Sequence, residues 1–261
     1  MRPRVIPVLL LRDGRLVKTE RFRRERYLGD PVNAIRIFNE KCVDEIVLLD
    51  IGATPSGRAP DFGLIREIVS EAFVPLCYGG GVTSVEQMRM LFRAGVEKVA
   101  VNSKAVEEPG FIRCAAESFG SSSVIAAIDC GRDWRGRRCV VSRGGRKKHS
   151  VEPVAHAVRL VSEGAGEIFL NSVVRDGTMS GYDLDLVRDV SEAVDVPVVA
   201  CGGAGSVDDL GRVVMNAGAS GAAAGSLFVY YGRLRAVLIT FPEEQTLSRM
   251  FSSHDLRNVS A

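Results

Sequence analysis

At 261 residues, 46% hydrophobic and 25% charged, the chain can bury one sizeable core and has the balance of a soluble enzyme. A net charge of +2 gives no overall field that favours nucleic acid or an anionic membrane as a partner. No apolar run reaches the ~20 residues of a bilayer-spanning helix, and the start, MRPRVIP, enters a strand pattern without an apolar leader, so a cytoplasmic protein is expected.

Short β-branched runs predict strands at 4–11, 46–51, 75–79, 98–102, 124–129, 167–172, 197–201 and 221–225. Amphipathic stretches lie between them, among them SVEQMRMLFRAG at 84–95 and PVAHAVRLVSEGAG at 153–166. Eight β-then-α units predict an α/β chain folded as a single (β/α)8 TIM barrel rather than an open doubly wound sheet. Cys42, Cys77, Cys114, Cys130, Cys139 and Cys201 form no C-x-x-C pair, so most are expected as small core residues. His149, His156 and His254 lack ligand spacing and are expected at the surface or in loops, with no metal and no cofactor.

The two halves resemble each other. VPLCYGGGVTSVEQMRMLFRAGVEKVAVNS (74–103) matches VPVVACGGAGSVDDLGRVVMNAGASGAAAGS (196–226), and DEIVLLDI (44–51) pairs with GEIFLNSV (166–173). Duplicated half-barrels of about 3–120 and 121–240 are expected, followed by a divergent tail at 241–261. In both halves a strand runs into glycines and then a helix, which lets backbone N–H groups approach an anion at a helix start. Gly80, Gly81 and Asn102 in one half, and Gly202, Gly203, Gly225 and Ser226 in the other, are the expected phosphate seats of a phosphorylated small-molecule ligand. Laying PVLLLRDG (7–14) on AAIDCGRD (126–133) puts Leu10 opposite Asp129.

VIPVLLLRDGRLVK, LGDPV, GGGVTSVE, VIAAIDC, GGRK, RDGTMSGYDLDL and CGGAGS resemble the cyclase subunit of imidazole glycerol phosphate synthase, the HisF family, over residues 3–240. The resemblance implies a TIM barrel, a bisphosphorylated ribonucleotide substrate and ammonia delivered by a HisH-like glutaminase at the bottom of the barrel. It implies acid/base catalysis by two aspartates, at the ends of strands 1 and 5. Asp129 matches the second, whereas Leu10 occupies the place of the first and cannot transfer a proton. Lys18, Asp50 and Asp176 hold their family positions; Asp176 either bonds the ligand or orders its Gly-Thr turn. Arg4, Glu45, Lys98 and Glu167 match a charged ring at the bottom, either an ammonia entrance or a structural salt-bridge ring, and Glu97 matches a residue that touches the glutaminase.

The sequence also departs from the family. The first βα loop, 19–31, carries Arg21 and Arg24 where asparagines are usual, either to draw in an acidic ligand or as a solvated basic loop. Asn171 stands in a typical threonine position, and Cys201 replaces a serine. Loss of one aspartate beside a kept ring resembles the WbuZ-like branch, which serves amidation of surface-polysaccharide sugars beside a glutaminase and a separate sugar amidotransferase or synthetase. A working cyclase of histidine biosynthesis and a non-catalytic scaffold are the alternatives, and the two phosphate seats argue against the scaffold.

Overall fold

In the computed structural model, which describes residues 2–252, eight parallel strands close into a barrel wrapped by helices. The strands are β1 (Arg4–Arg12), β2 (Ile46–Asp50), β3 (Leu76–Gly79), β4 (Lys98–Val101), β5 (Val124–Arg132), β6 (Glu167–Ser172), β7 (Val198–Cys201) and β8 (Gly221–Ala224). Closure comes from β8 pairing in parallel with β1, in a register running from Arg4 opposite Gly221 to Pro7 opposite Ala224. The chain is a (β/α)8 TIM barrel.

Alternation of side chains along each strand sorts the apolar residues into two sets. Ile6, Val8, Leu10, Val47, Cys77, Ala100, Ile125, Phe169, Val199 and Ala223 fill the barrel interior. Val5, Leu9, Leu11, Ile46, Leu48, Ile128 and Ile168 face outward, under the helices. Both faces are covered, so the strands read as nearly continuous apolar runs.

The helices are α1 (Pro31–Glu40), α2 (Phe62–Glu71), α3 (Val85–Arg93), α4 (Phe111–Phe119), α5 (Pro153–Ser162), α6 (Leu184–Ser191), α7 (Val207–Ala217) and α8 (Glu244–Ser252). Their starts match between halves. Asp30 caps α1 and Glu152 caps α5, each before a proline; Asp61 and Asp183 cap α2 and α6; Ser84 and Ser206 cap α3 and α7. Each cap accepts a hydrogen bond from an otherwise orphaned N–H of the first turn.

Two expectations need correction. The first βα loop, 19–31, is largely strand: Arg15–Glu20 folds back antiparallel on β1, and Arg23–Gly29 pairs with it in turn. The second half repeats the device with Arg138–Ser142 on β5. His156 is buried rather than at the surface, because Pro153, His156, Ala157 and Leu160 share the core face of α5 at helical spacing. Burial and the neighbouring Arg159 push its pKa down to about 4. Four cysteines are buried as expected, while Cys42 and Cys114 are exposed. His149 is half-buried in the second hairpin region, and His254 lies outside the described residues. Of the tail, the part within the described residues forms α8, with Leu247 in the core and Arg2 bridging Glu244 to Asp44.

The paired glycines after β3 and β7 are fixed by close approach. Cβ atoms on Gly80 and Gly202 would lie 2.2 Å from the Asp50 carbonyl oxygen and 2.7 Å from that of Ser172; on Gly81 and Gly203, 2.6 Å from that of Arg58 and 2.2 Å from that of Gly181. All four have positive φ. Gly203→Ala is expected to cost about 3 kcal/mol or more in urea unfolding, through backbone strain and overpacking. Gly110→Ala, also at positive φ but with nothing within 4 Å of the added atom, should cost only about 1–2 kcal/mol.

Candidate active site at the barrel mouth

The C-terminal ends of the strands enclose a cavity of about 610 Å3. Leu10, Lys18, Asp50, Gly80, Gly81, Asn102, Asp129, Asp176, Gly202, Gly203, Gly225 and Ser226, expected from sequence to belong together, all line it. Leu10 ends the inward row of β1 and Asp129 that of β5, on opposite sides of the barrel.

Asp129 is held by two carboxamides. Asn102 Nδ2 donates to its Oδ2 at 3.0 Å and Asn171 Nδ2 to its Oδ1 at 2.9 Å. Burial raises its pKa to about 7, against the lowering effect of the Asn171 bond and with a further rise from the charge of Asp176. The carboxyl can therefore hold or release a proton close to neutrality.

Asn171 was singled out in the sequence only as a departure. The signal for its role was the register of neighbouring strands, since β6 places Asn171 directly beside Asp129. Asn102 was expected to seat phosphate, yet its side-chain N–H serves the carboxylate. Its backbone matches that of Gly225: φ is −108° for both, with ψ −78° and −68°. Both residues precede a short helix whose first N–H groups face no earlier carbonyl.

Lys18, buried on the folded-back strand, places Nζ 3.4 Å from Asp176 Oδ1, and Thr19 Oγ1 lies 3.5 Å from Oδ2 of the same residue. A Cβ on Gly225 would sit 2.9 Å from Lys18 Nζ, so the ammonium lies against the second glycine seat. The Ser226 hydroxyl there is buried without a partner among the described residues, whereas Ser103 in the first half accepts the Arg143 N–H. Asp50 orders its own turn by accepting from the N–H groups of Gly52 and Ala53 at 2.9 Å each. Burial, partly offset by those bonds, raises its pKa.

Arg21 and Arg24 are exposed and do not line the cavity, which fits a solvated basic loop. Sequence reasoning missed the cations that do line it: Arg12, Arg58, Lys104, Arg143 and Arg146. They come from four places in the chain, the end of β1, the loop after β2, the short helix Ser103–Glu107 and the turn at 143–146, which only barrel closure brings together. Cys201 also lines the cavity, its thiol pushed up to about 12 by burial.

At the opposite end the four expected residues form a closed ion-pair ring. Arg4 bonds Glu45 and Glu167; Lys98 Nζ lies 2.9 Å from Glu45 Oε2 and 3.5 Å from Glu167 Oε2. Glu97, next in the chain to Lys98, is exposed on this base.

Because the folded state holds the Asp129 proton more tightly than the unfolded chain, stability from this group is present below about pH 4 and lost as pH rises through about 7. Asp129→Asn removes that dependence. Relative to wild type, the variant should gain on the order of 2–4 kcal/mol between about pH 4 and pH 8, measured by urea titrations.

The family described as histidine biosynthesis protein matches residues 4–235. A Pseudomonas aeruginosa protein carrying the name subunit hisF2 of imidazole glycerol phosphate synthase is 48% identical over 247 residues, 95% of this chain and 98% of its own. A Vibrio vulnificus protein carrying the subunit name hisF3 is 46% identical over 243 residues, 93% of this chain and 94% of its own. The imidazole glycerol phosphate synthase subunit HisF of Alkaliphilus metalliredigens is 44% identical over 227 residues, covering 87% of this chain and 90% of that protein. The chain belongs to the histidine biosynthesis protein family, as a HisF-like synthase subunit of the imidazole glycerol phosphate synthase type.

Proposed function

We propose that this barrel is the ammonia-accepting subunit of a glutamine-dependent amidotransferase. A HisH-like glutaminase docks on its base near Glu97, and its mouth holds a phosphorylated acceptor. The observation that carries the reading is the Arg4–Glu45–Lys98–Glu167 ring, set beneath an apolar interior. Four charges that pair with one another can sit at an entrance because their mutual attraction offsets the cost of desolvating them. The apolar bore above them favours neutral NH₃ over ammonium, because an unpaired cation there would be strongly disfavoured. Lys98 makes the longest contacts of the ring and is the side chain that swings aside.

At the mouth, Gly80, Gly81 and Asn102 hold one phosphate, and Gly202, Gly203, Gly225 and Ser226 hold the other. Lys18 neutralises the second and is positioned by Asp176. Asp129 is the single acid/base that remains. Two opposed carboxylates can remove a proton and deliver another within one ring closure; Leu10 leaves one such group. The acceptor is therefore a substrate needing one proton-transfer group, and we assign it to the sugars of surface polysaccharide, aminated with a separate sugar amidotransferase or synthetase. The numbered subunit names of the Pseudomonas and Vibrio relatives fit a specialised copy.

A second reading has its own support: Asp129 and the complete two-seat cavity suit a working cyclase of histidine biosynthesis. Supplied with ammonium salt and the standard nucleotide substrate, the wild type should turn over about 10²–10⁴ times more slowly than Leu10→Asp under the first reading. Equal, substantial rates would establish the second. For the ring, Lys98→Ala should leave glutamine hydrolysis by the co-purified complex intact while lowering product formed per glutamine. A yield unchanged from wild type would remove the gate from the mechanism.

A further inference from the structure

The net charge of +2 conceals a sharp separation of sign. Residues 12–29 and 130–150 carry 15 of the 34 basic residues and only 4 of the 32 acidic ones, so the rest of the chain is net negative. Both segments are the hairpin extensions of β1 and β5, which rise from the C-terminal end of the barrel on opposite sides of the mouth. A third hairpin, Tyr230–Tyr231 paired with Ala236–Val237, follows β8 at the same end and is tied to the first through Arg26 and the Arg235 carbonyl.

Each hairpin presents a large apolar side chain among arginines. Trp134 is 82% exposed beside Arg132 and Arg135, and Leu234 is 92% exposed beside Arg233. Tyr27 is exposed on the strand that carries Arg23 and Arg24. Arg12, Arg137 and Arg235 are neutralised by Glu25, Asp133 and Glu20. Arg23, Arg24, Arg132, Arg135 and Arg233 have no carboxylate partner among the described residues. The Arg135 guanidinium lies over the Trp134 ring at 4.3 Å.

We propose that this rim docks on an anionic lipid surface, with the three hairpins as separate points of contact. A protein partner buries a contiguous apolar centre inside a polar rim. Here the exposed apolar groups are divided among three hairpins, Trp134 on one, Tyr27 on another and Tyr231, Leu234 and Val237 on the third, each with arginines beside it in the chain. That arrangement suits a bilayer, where single aromatic and aliphatic side chains enter the headgroup layer while arginines meet the phosphates. The inference is independent of the acceptor assigned above.

Trp134 is the only tryptophan in the chain, so its emission reports the contact directly. Phosphatidylcholine vesicles containing about 30% phosphatidylglycerol should shift that emission to shorter wavelength and co-sediment the protein; pure phosphatidylcholine should do neither. Binding should fall at least about tenfold between roughly 0.05 M and 0.5 M NaCl. Arg23→Glu with Arg24→Glu should each weaken it about fivefold or more. Leu234→Ser, at an exposed tip, should weaken co-sedimentation without changing the melting temperature. An unshifted emission with the anionic vesicles overturns the proposal, and so does binding that Leu234→Ser and Trp134→Ser leave unchanged, since that is adsorption by charge alone.

Discussion

The pairing of β8 with β1 is the contact on which both ends of the molecule depend. Once the sheet closes, side chains with a period of two can point only into the bore or under the helices, and one residue of slippage would exchange the two sets. The inward row of β1 runs Arg4, Ile6, Val8, Leu10: a ring charge at the base, apolar filling in the middle, and the mouth at the top. That of β6 runs Glu167, Phe169, Asn171, from ring partner to carboxylate holder. A register error on either strand would break the ion-pair ring and dismantle the Asp129 cradle together.

Closure also explains how a carboxyl comes to titrate near neutrality. Among the described residues no arginine or lysine bonds Asp129; its direct partners are two neutral carboxamides. The Asn171 donor offsets part of the burial cost, and the charge of Asp176, in the loop after β6, adds to it. Lys18, which also lines the cavity, is engaged by Asp176. Had the lysine faced Asp129, the carboxyl would be a permanent anion, useful for electrostatics and poor at moving protons. With Leu10 opposite, the environment is less polar than a second carboxylate would make it.

What could be read from the chain alone followed from local rules. The strands and the paired glycines depend on period and on position within a βα unit; the four ring residues were legible only through the family resemblance, and the structure brings them together at the base. Asn171, Arg58 and Arg146 were not legible, because their roles arise from proximity between units. His156 was legible in principle, because the spacing of Pro153, Ala157 and Leu160 places it on the core face of α5. The fold-back of Arg15–Glu20 was hidden because its strand pattern, LVKT, is short and merges into a run of arginines. Net charge misled in a different way. It averages two basic hairpins against an acidic remainder, and a ligand or surface near the mouth experiences the local field, not the sum.

The two ends differ in how completely their polar groups are satisfied. At the base, each charge of the ring has two partners of opposite sign, a closed arrangement that needs nothing further from outside. At the mouth, the Oδ1 atoms of Asn102 and Asn171 and the Oγ of Ser226 are buried without a hydrogen-bond partner. Each such atom costs on the order of 1–3 kcal/mol. Protonation of Asp129 changes the balance, because a rotated Asn102 or Asn171 carboxamide can then accept the new O–H. The mouth thus carries spare acceptors that a proton or a ligand donor can use, whereas the four charges of the ring at the base satisfy one another.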